Sequence, residues 1–389
     1  MDGARLTPLE MLRRLVAFDT TSSKSNMALI EDVRAYLTGH GVAARLVPNE
    51  DGTKANLFAT IGPAGDGGVV LSGHTDVVPV DGQDWASDPF ALVERDGRAF
   101  GRGTTDMKGF IATALALVPD MVAARPQTPL HFAFSFDEEI GCLGVRPLLA
   151  LLARELPRPR LAIIGEPTEM KVANAHKGVY SFHTTVTGRE AHSSASHLGV
   201  SAIAAAARIV GHIYGLAEAL TAPEHCHADF EPPYTTVNIG RIDGGTARNI
   251  IARQCRFDWE IRPVPGTDPD AVKAAVDDFI AGSVLPAMRE RFAGATVETR
   301  PSSRVPPLVP QDGSPAEALV LALTGQNRAG TVPFASEAGL FQEQGIPAVL
   351  CGPGSVRQAH QPDEYVETAQ IAVCEAFLRK LIAWAAEAR

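Results

Sequence analysis

The sequence predicts an α/β fold in which a mostly parallel sheet is flanked by helices and a smaller α+β sandwich is inserted into the chain. Three observations lead to this prediction. Short apolar runs alternate with amphipathic patterns in the first part of the chain, the rhythm changes after Gly178, and the alternation returns near the end. Strands that alternate with helices form βαβ units, so the outer parts are expected to share one sheet. The chain has 389 residues, more than one core usually supports.

The outer parts of the chain carry the short apolar runs typical of buried strands and the longer patterns of helices. The predicted strands are 56–61, 69–72, 130–136, 161–164 and 348–351. The predicted helices are 8–18, 27–40, 109–123, 145–155, 315–324, 339–344 and 368–388. We therefore predict a discontinuous α/β domain made of residues 1–178 and 303–389.

The middle of the chain has a different order of elements. It predicts strands at 180–187, 235–242, 254–262 and 295–300, and helices at 200–220 and 270–292. The resulting β-α-β-β-α-β order is that of an open-faced sandwich. We predict that residues 179–302 form this separate α+β domain.

Composition excludes several classes of protein. The formal net charge of −10 and the lack of a basic stripe argue against nucleic-acid binding. The charge could suit a cationic substrate, although solubility alone explains it as well. The 5 cysteines form no Cys-x-x-Cys pattern, which favours a reducing compartment. No apolar run reaches the ~18 residues of a membrane span, and the first residues lack a signal-like apolar run. These features predict a cytoplasmic protein without membrane partners.

Side chains that can bind a metal follow several predicted strands or precede a predicted helix. They are His74, Asp106, Glu139, Glu166 and His360. Ligands of open parallel sheets bind at the carboxyl ends of the strands, where these residues would meet. Two imidazoles and three carboxylates suit zinc, with cobalt as the alternative. Each residue alone has a simpler explanation: a loop histidine is more often only hydrogen-bonded, and Glu138-Glu139 could lie in a solvated turn.

Six segments together resemble the M20 family of co-catalytic metallopeptidases. They are SGHTDVVP, GRGTTDMKG, the Asp-Glu-Glu triplet, GEPT, HKG and GREAHSS, and the similarity covers essentially the whole chain in order. The resemblance implies a zinc-aminopeptidase-like fold with an inserted lid and dimerisation domain. It also implies two metal sites. His74, Asp106 and Glu166 would hold one metal, while Asp106, Glu139 and His360 would hold the other. Asp106 would bridge them and precede a cis peptide bond.

The same resemblance implies catalytic roles for residues beside the metals. Two cations would share and acidify a water and polarise the scissile carbonyl. Glu138 would act as the general base, and Asp76 would accept the second N–H of the His74 ring. His192, in the inserted domain, would reach across a homodimer to stabilise the oxyanion. The alternative for His192 is an exposed histidine that follows a strand.

Some segments resemble one branch of the family, which hydrolyses N2-acetyl-L-ornithine to L-ornithine and acetate in arginine biosynthesis. They are HKGVYSFHTTVTGREAHSS, FASEAGLF and CGPGSVRQAHQPDEY. Asn249 resembles a lid residue that contacts substrate, and Arg262 could clamp the α-carboxylate. Ser336 and Glu337 are further candidates, with Glu337 as the counter-charge of the substrate amine. An ion pair with Glu260 is the alternative for Arg262.

Two other functions are compatible with the sequence. One is a related deacylase or dipeptidase that acts on another N-acyl amino acid, such as succinyl-diaminopimelate. The position after GEPT at which that desuccinylase would carry Arg-Arg-Gly-Ser has Ala-His-Lys-Gly here. The other is a binding module that holds metal without catalysis, against which the free Glu138 argues. Two segments depart from the family pattern in the region that determines substrate choice. WEIRP lacks the aspartate that relatives commonly carry before the x-Arg, and ARNII-ARQC lacks the proline common after the Asn-Ile-Val segment.

Overall fold

The chain divides into two units in the computed structural model, which describes residues 5–387. The first unit contains the described residues up to Ala175, then Leu308–Val332, and the described residues from Ser336 onward. The second unit contains His176–Pro307 and Pro333–Ala335. The first unit is thus discontinuous in sequence.

The elements within residues 5–387 are numbered in chain order. Strands β1 to β15 are Ala44–Pro48, Ala55–Ile61, Val69–His74, Val93–Arg95, Arg98–Phe100, Leu130–Ser135, Leu161–Pro167, Ala173–His176, Val179–Thr187, Thr236–Gly244, Gln254–Arg262, Thr296–Val305, Gly330–Val332, Ala348–Gly352 and Tyr365–Glu367. Helices α1 to α11 are Pro8–Val16, Met27–Gly39, Lys108–Ala116, Val118–Ala124, Val145–Leu152, Ala202–Ala219, Pro269–Phe279, Leu285–Arg289, Pro315–Thr324, Ala338–Glu343 and Thr368–Ala386. The last residue of the helix predicted over 368–388 lies outside the described residues.

The main sheet of the first unit has a parallel centre. Its strand order is β1-β2-β6-β3-β7-β14-β8-β13. Strand β3 pairs in parallel with β6 and β7, and β7 pairs in parallel with β14. Every residue of these four strands is buried, as expected when helices cover both faces of a sheet. The predicted fold class is confirmed, with the addition that β1, β2 and β8 pair antiparallel on either side of this centre.

Local sequence signals explain where the helices begin and end. Helix α1 begins with a capping box, in which the Thr7 hydroxyl accepts from the Glu10 N–H while the Glu10 carboxylate accepts from the Thr7 N–H. The helix predicted over 109–123 is instead two helices, α3 and α4, because Pro119 cannot donate to the carbonyl four residues earlier. Pro286 likewise follows the π-helical turn Ile280–Val284, which interrupts the helix predicted over 270–292.

The second unit contains an antiparallel sheet with the order β10-β11-β9-β12. Strand β11 alternates buried and more exposed residues, as a strand with one covered face does. Its buried Phe257 and Trp259 pack with Ile209 of α6 and Val276 of α7 in one hydrophobic cluster. Strand β12 extends beyond the predicted 295–300, because the register shift after Pro301 lets the strand continue past a residue that cannot donate.

A small third sheet, with the order β15-β5-β4, lies outside the main sheet. Strand β5 leads into the segment that carries Asp106, and β15 follows the segment that carries His360. The two strands pair antiparallel, with Phe100 opposite Tyr365. Within residues 5–387, no helix is long and apolar enough to cross a membrane.

Candidate metal centre

Four adjacent parallel strands bring the predicted ligands to one edge of the main sheet. His74 is the last residue of β3, and Glu166 lies near the end of β7. Glu138 and Glu139 follow β6 after Asp137, whose φ of +55° turns the chain. His360 follows β14 and has a φ of +64°. Because the strands are parallel neighbours, their carboxyl ends meet, as the sequence argument required.

Asp106 faces both histidines. Its Oδ1 lies 3.0 Å from Nε2 of His74, and its Oδ2 lies 3.3 Å from Nε2 of His360. Glu139 Oε2 lies 3.0 Å from the same His360 nitrogen. The Asp106–Met107 peptide bond is cis, as the family resemblance implies. The two oxygens of this carboxylate thus face different imidazoles. A carboxylate that bridges two metals would need this arrangement.

The donor atoms fit divalent cations. Ligand atoms of His74, Asp106 and Glu139 lie within 4.8 Å of one another. Glu139 Oε1 is buried and has no hydrogen-bond partner among the described residues. A buried carboxylate oxygen without a partner is costly unless a cation or donor satisfies it. Imidazole and carboxylate donors are those that divalent metals such as zinc take in proteins, so His74, Asp106 and Glu139 form a possible metal site.

The electrostatics of this edge are strongly perturbed. Burial raises the pKa of Glu139 to about 7, and it also raises the pKa of Glu166, with the negative charge of Asp106 adding to the effect. Burial works to raise the pKa of Asp106 too, but hydrogen bonds from His360 and His74 outweigh it and lower that pKa. Hydrogen bonds to Asp106 and Glu139 raise the pKa of His360 to about 10. Clusters of buried groups with shifted pKa values mark functional sites.

Glu138 lies beside the ligands. Burial raises its pKa to about 8, although the nearby His74 opposes the shift. The thiol of Cys142 donates to Glu138 Oε1 at 3.2 Å. This contact was missed from the sequence. The one sequence signal for this contact is the separation of four residues, which suits a turn. In the structure the Cys142 N–H donates to the Glu138 carbonyl across that turn.

Asp76 makes contacts that differ from the predicted one. Nδ1 of His74 lies 2.9 Å from the backbone carbonyl of Asp76 and 3.6 Å from its carboxylate. The carbonyl is therefore the closer acceptor for the ring N–H. The Asp76 carboxylate instead accepts from the backbone N–H groups of Glu138 and Glu139 and from the hydroxyl of Ser22. Asp76 thus orients the Asp-Glu-Glu turn as well as the His74 segment.

The ASEAG segment is buried. Glu337 is 1% exposed, and its carboxylate accepts hydrogen bonds from the hydroxyls of Ser72 and Ser135. Burial raises the pKa of Glu337 to about 7. The hydroxyl of Ser336 is also buried and accepts from the Ala338 N–H at the start of α10. Both side chains are hydrogen-bonded inside the protein, and the substrate contacts predicted for them stay predictions.

His192 and Asn249 lie on paired segments of the second unit. The Ser193 N–H donates to the Asn249 carbonyl, and both residues are exposed. The backbone N–H of Ser194 donates to Nδ1 of His192 at 3.2 Å. Since a backbone N–H can only donate, Nδ1 is the acceptor and the neutral ring carries its proton on Nε2. His192 can therefore present an N–H donor to a developing negative charge.

Arg262, at the end of β11, pairs with its neighbour on the same strand. Its Nε lies 3.0 Å from Glu260 Oε1, and its Nη2 lies 3.1 Å from Glu260 Oε2. This two-point pair is the alternative that the sequence left open for Arg262. The guanidinium retains further N–H groups with which a substrate carboxylate could bond.

Comparison with known proteins identifies the family. The profile of peptidase family M20/M25/M40 matches residues 70–384. The chain belongs to this family. Its members include an acetylornithine deacetylase of Pasteurella multocida, to which the chain is 36% identical over 384 residues, 96% of this chain and 97% of the relative. The chain is therefore a metal-dependent peptidase or amidohydrolase, and this similarity supports a deacylase role.

Solved structures of M20 proteins share the fold. A metallo-carboxypeptidase of Sulfolobus solfataricus aligns with a TM-score of 0.77 and 18% identity, over 97% of this chain and 99% of that one. A dinuclear metal-binding peptidase of Bacillus subtilis aligns with a TM-score of 0.66 and 18% identity, over 97% of both chains. At these identities the likeness establishes the fold alone.

Proposed function

We propose that this M20 protein hydrolyses N2-acetyl-L-ornithine to L-ornithine and acetate, in arginine biosynthesis, at a centre that holds two divalent metals. The observation that carries the chemistry is Asp106, whose two oxygens face His74 and His360 separately. The near full-length similarity to an acetylornithine deacetylase supports the choice of substrate. A related deacylase that acts on another N-acyl amino acid is the alternative that the experiment below tests.

The metals would be held by the residues that the family resemblance assigned. His74, Asp106 and Glu166 would form one position, and Asp106, Glu139 and His360 the other. Zinc suits these ligands, and cobalt is the alternative. When bound, two such ions would acidify a water molecule and polarise the scissile carbonyl.

Glu138 would move the proton. It neighbours the ligand Glu139, yet its own carboxylate contacts the Cys142 thiol. A general base works best when its pKa lies near the operating pH, and burial raises the pKa of Glu138 to about 8. Glu138 would take a proton from the attacking water and return it to the amine that leaves. Asp76 holds the turn that presents Glu138 by accepting its backbone N–H at 3.1 Å.

The second unit would supply groups that bind the substrate. His192 carries its ring proton on Nε2, which suits donation to the oxyanion of the tetrahedral intermediate. Asn249 lies on the segment paired with that of His192, which supports the proposal that it contacts the same substrate. Arg262 would bind the α-carboxylate with the N–H groups that Glu260 leaves available.

We propose that residues 179–302 act as a lid and dimerisation domain. A homodimer would then form through the second unit. Strand β10 is at one end of the sheet order and has an exposed Ile242, while α6 has an exposed Ile203. Exposed apolar side chains beside an unpaired strand edge favour association with a second copy. The 5 cysteines are all unpaired, which supports the proposed cytoplasmic location.

A substrate panel tests the proposal. The full-length protein, loaded in turn with zinc and cobalt, would be assayed with N2-acetyl-L-ornithine, acetylmethionine, succinyl-diaminopimelate and a dipeptide. We expect the highest kcat/KM for acetylornithine. A higher value for succinyl-diaminopimelate or the dipeptide would replace the proposed substrate with that alternative. Binding of acetylornithine without turnover by metal-loaded protein would favour a binding module.

A further inference from the structure

Glu364 is a buried carboxylate that the chemistry proposed above does not use. It is 1% exposed and lies four residues after His360. Its Oε2 accepts from Nη1 of Arg102 at 2.7 Å and from the Gly103 N–H at 3.1 Å. Its Oε1 accepts from the N–H groups of Thr105 and Asp106 at 2.9 and 3.2 Å. One carboxylate therefore organises the whole turn that presents the bridging aspartate.

Arg102 connects this turn to the His360 segment. It is also 1% exposed, and its Nη2 donates to Gln83 Oε1 at 2.6 Å. Nε2 of Gln83 in turn donates to the backbone carbonyl of His360 at 2.9 Å. Glu364, Arg102 and Gln83 thus form a continuous hydrogen-bond network, which joins the backbone of Asp106 to that of His360.

The His360 segment needs such support. His360 and Asp363 both have φ values in the left-handed region, at +64° and +52°, which non-glycine residues rarely adopt without help. The Asp363 carboxylate accepts from the Ala86 N–H at 2.9 Å, so the Gln83 loop holds the segment at a second point.

The two ligand segments also approach closely at Gly354. A Cβ there would lie 1.9 Å from Oγ1 of Thr105, so the backbones could not come this near with a larger residue. The Thr105 hydroxyl accepts from the Ser355 N–H at 3.2 Å. Together with the pairing of β5 and β15, these contacts keep the spacing between Asp106 and His360 fixed.

We infer that Glu364, Arg102 and Gln83 are positioning residues that set metal affinity, Glu364 through the Asp106 turn and Gln83 through His360 at the position formed by Asp106, Glu139 and His360. This inference rests on the proposed two-metal function. Ligands that are already held apart at the right spacing lose little freedom when an ion binds, and residues behind metal ligands typically change metal affinity 10–100-fold. The Gln83 side chain bonds to the His360 carbonyl, to Arg102 and to Nε1 of Trp85, and His360 alone among these three partners is a proposed ligand. Its effect should therefore be confined to that one position.

The test measures metal binding. Full-length wild-type protein and Gln83→Met, both freed of metal by a chelator, would be titrated with Zn²⁺ by calorimetry and with Co²⁺ by visible absorption. We expect Gln83→Met to weaken one of two binding steps about 10–100-fold and to leave the other unchanged. Gln342→Met is the matched control, because the Gln342 side chain likewise both accepts and donates, here from the N–H and to the carbonyl of Val309, but bonds to no ligand segment. It should match the wild type in both steps.

Glu364→Gln provides a second variant. It should weaken both binding steps, because the Asp106 turn that it supports serves both metals. Equal affinities in wild type and Gln83→Met would overturn the inference whether or not Glu364→Gln folds. A wild type that binds fewer than two metals would instead contradict the proposed function. Equal weakening of both steps in Gln83→Met would show a general loss of structure and would also overturn the positioning role.

Discussion

The metal edge of the first unit and the paired loops of the second unit control their side chains in different ways. His74, Asp76 and Glu166 are at most 4% exposed, whereas His192 and Asn249 are exposed. At the metal edge, burial and neighbouring negative charges raise the pKa values of Glu138, Glu139 and Glu166. In the second unit, a contact between residues two apart determines which nitrogen of His192 carries the proton. Under the proposed function, the buried groups of the first unit would carry the proton and metal chemistry, and the exposed groups of the second unit would bind substrate.

The largest expected effect on activity is that of replacing Glu138 at the metal edge. Glu138→Ala should lower kcat about 10²–10⁴-fold, the usual contribution of a general base, while the protein still binds two equivalents of metal. Steady-state kinetics and metal analysis of the same preparation measure both. Glu138→Gln, which keeps the shape, should lose activity to a similar extent. Loss of metal from Glu138→Ala would mean that Glu138 is a ligand rather than the base.

The next effect tests whether an exposed residue contributes to catalysis. His192→Ala should lower kcat about 10²–10³-fold, as the loss of one oxyanion donor does, with both metals retained. Ser194→Ala offers a milder companion, because it removes the hydroxyl near Nδ1 but keeps the backbone N–H. Activity of His192→Ala close to that of the wild type would return His192 to the simpler role of a surface histidine.

Mixing the two inactive variants asks which subunit uses His192. If His192 serves the partner's site, an equal mixture of Glu138→Ala and His192→Ala allowed to exchange subunits should regain about a quarter of wild-type activity, since half of the dimers are mixed and each has one complete site. Subunit exchange would be followed by size and by labelling. If the subunits exchange and activity does not recover, His192 serves the site of its own subunit.

A smaller effect is expected at Arg262. Arg262→Ala should raise KM for acetylornithine about 10–100-fold, the value of a charged hydrogen bond, with little change in kcat. Glu260→Gln is the control, because it removes the charge that pairs with Arg262 but leaves the arginine in place. Should both variants lower stability equally without altering KM, the pair is structural.

The smallest effect is expected at Glu337. Burial raises its pKa to about 7 from the ordinary value of 4.5, so the folded state keeps a proton that the unfolded chain loses. The stability contributed by this proton is complete below pH 4.5 and is lost as the pH rises through about 7. In the presence of chelator, Glu337→Gln should therefore gain a few degrees of melting temperature over the wild type at pH 8 and less at pH 5.

The same variant bears on substrate binding. Because Glu337 is enclosed by Ser72 and Ser135, KM for acetylornithine should change little in Glu337→Gln. A rise in KM would restore Glu337 as the counter-charge of the substrate amine. An unchanged KM would mean that Glu337 is not the counter-charge of the substrate amine. Glu337 would then have a structural role at the sheet edge.

Part of the fold could be predicted because its signals are local. Strands such as β2, β3, β6 and β7 are long apolar runs, and their ends carried recognisable motifs. The short strands of the third sheet were missed, because three residues are too few for a periodic pattern. The two interrupted helices were predicted as continuous, since a proline inside an amphipathic pattern does not reveal whether a helix kinks or ends.

The sequence alone determined which residue types stand at which strand ends, and hence a site of histidines and carboxylates with a free glutamate beside them. Only the tertiary structure decided how they meet: Asp106 shared between two imidazoles, Glu337 enclosed by two serines, and Glu364 tied to the Asp106 turn. The physical reason is range. Motifs and hydrophobic periods report on neighbours along the chain, whereas burial, shifted pKa values and hydrogen-bond networks arise between residues up to hundreds of positions apart.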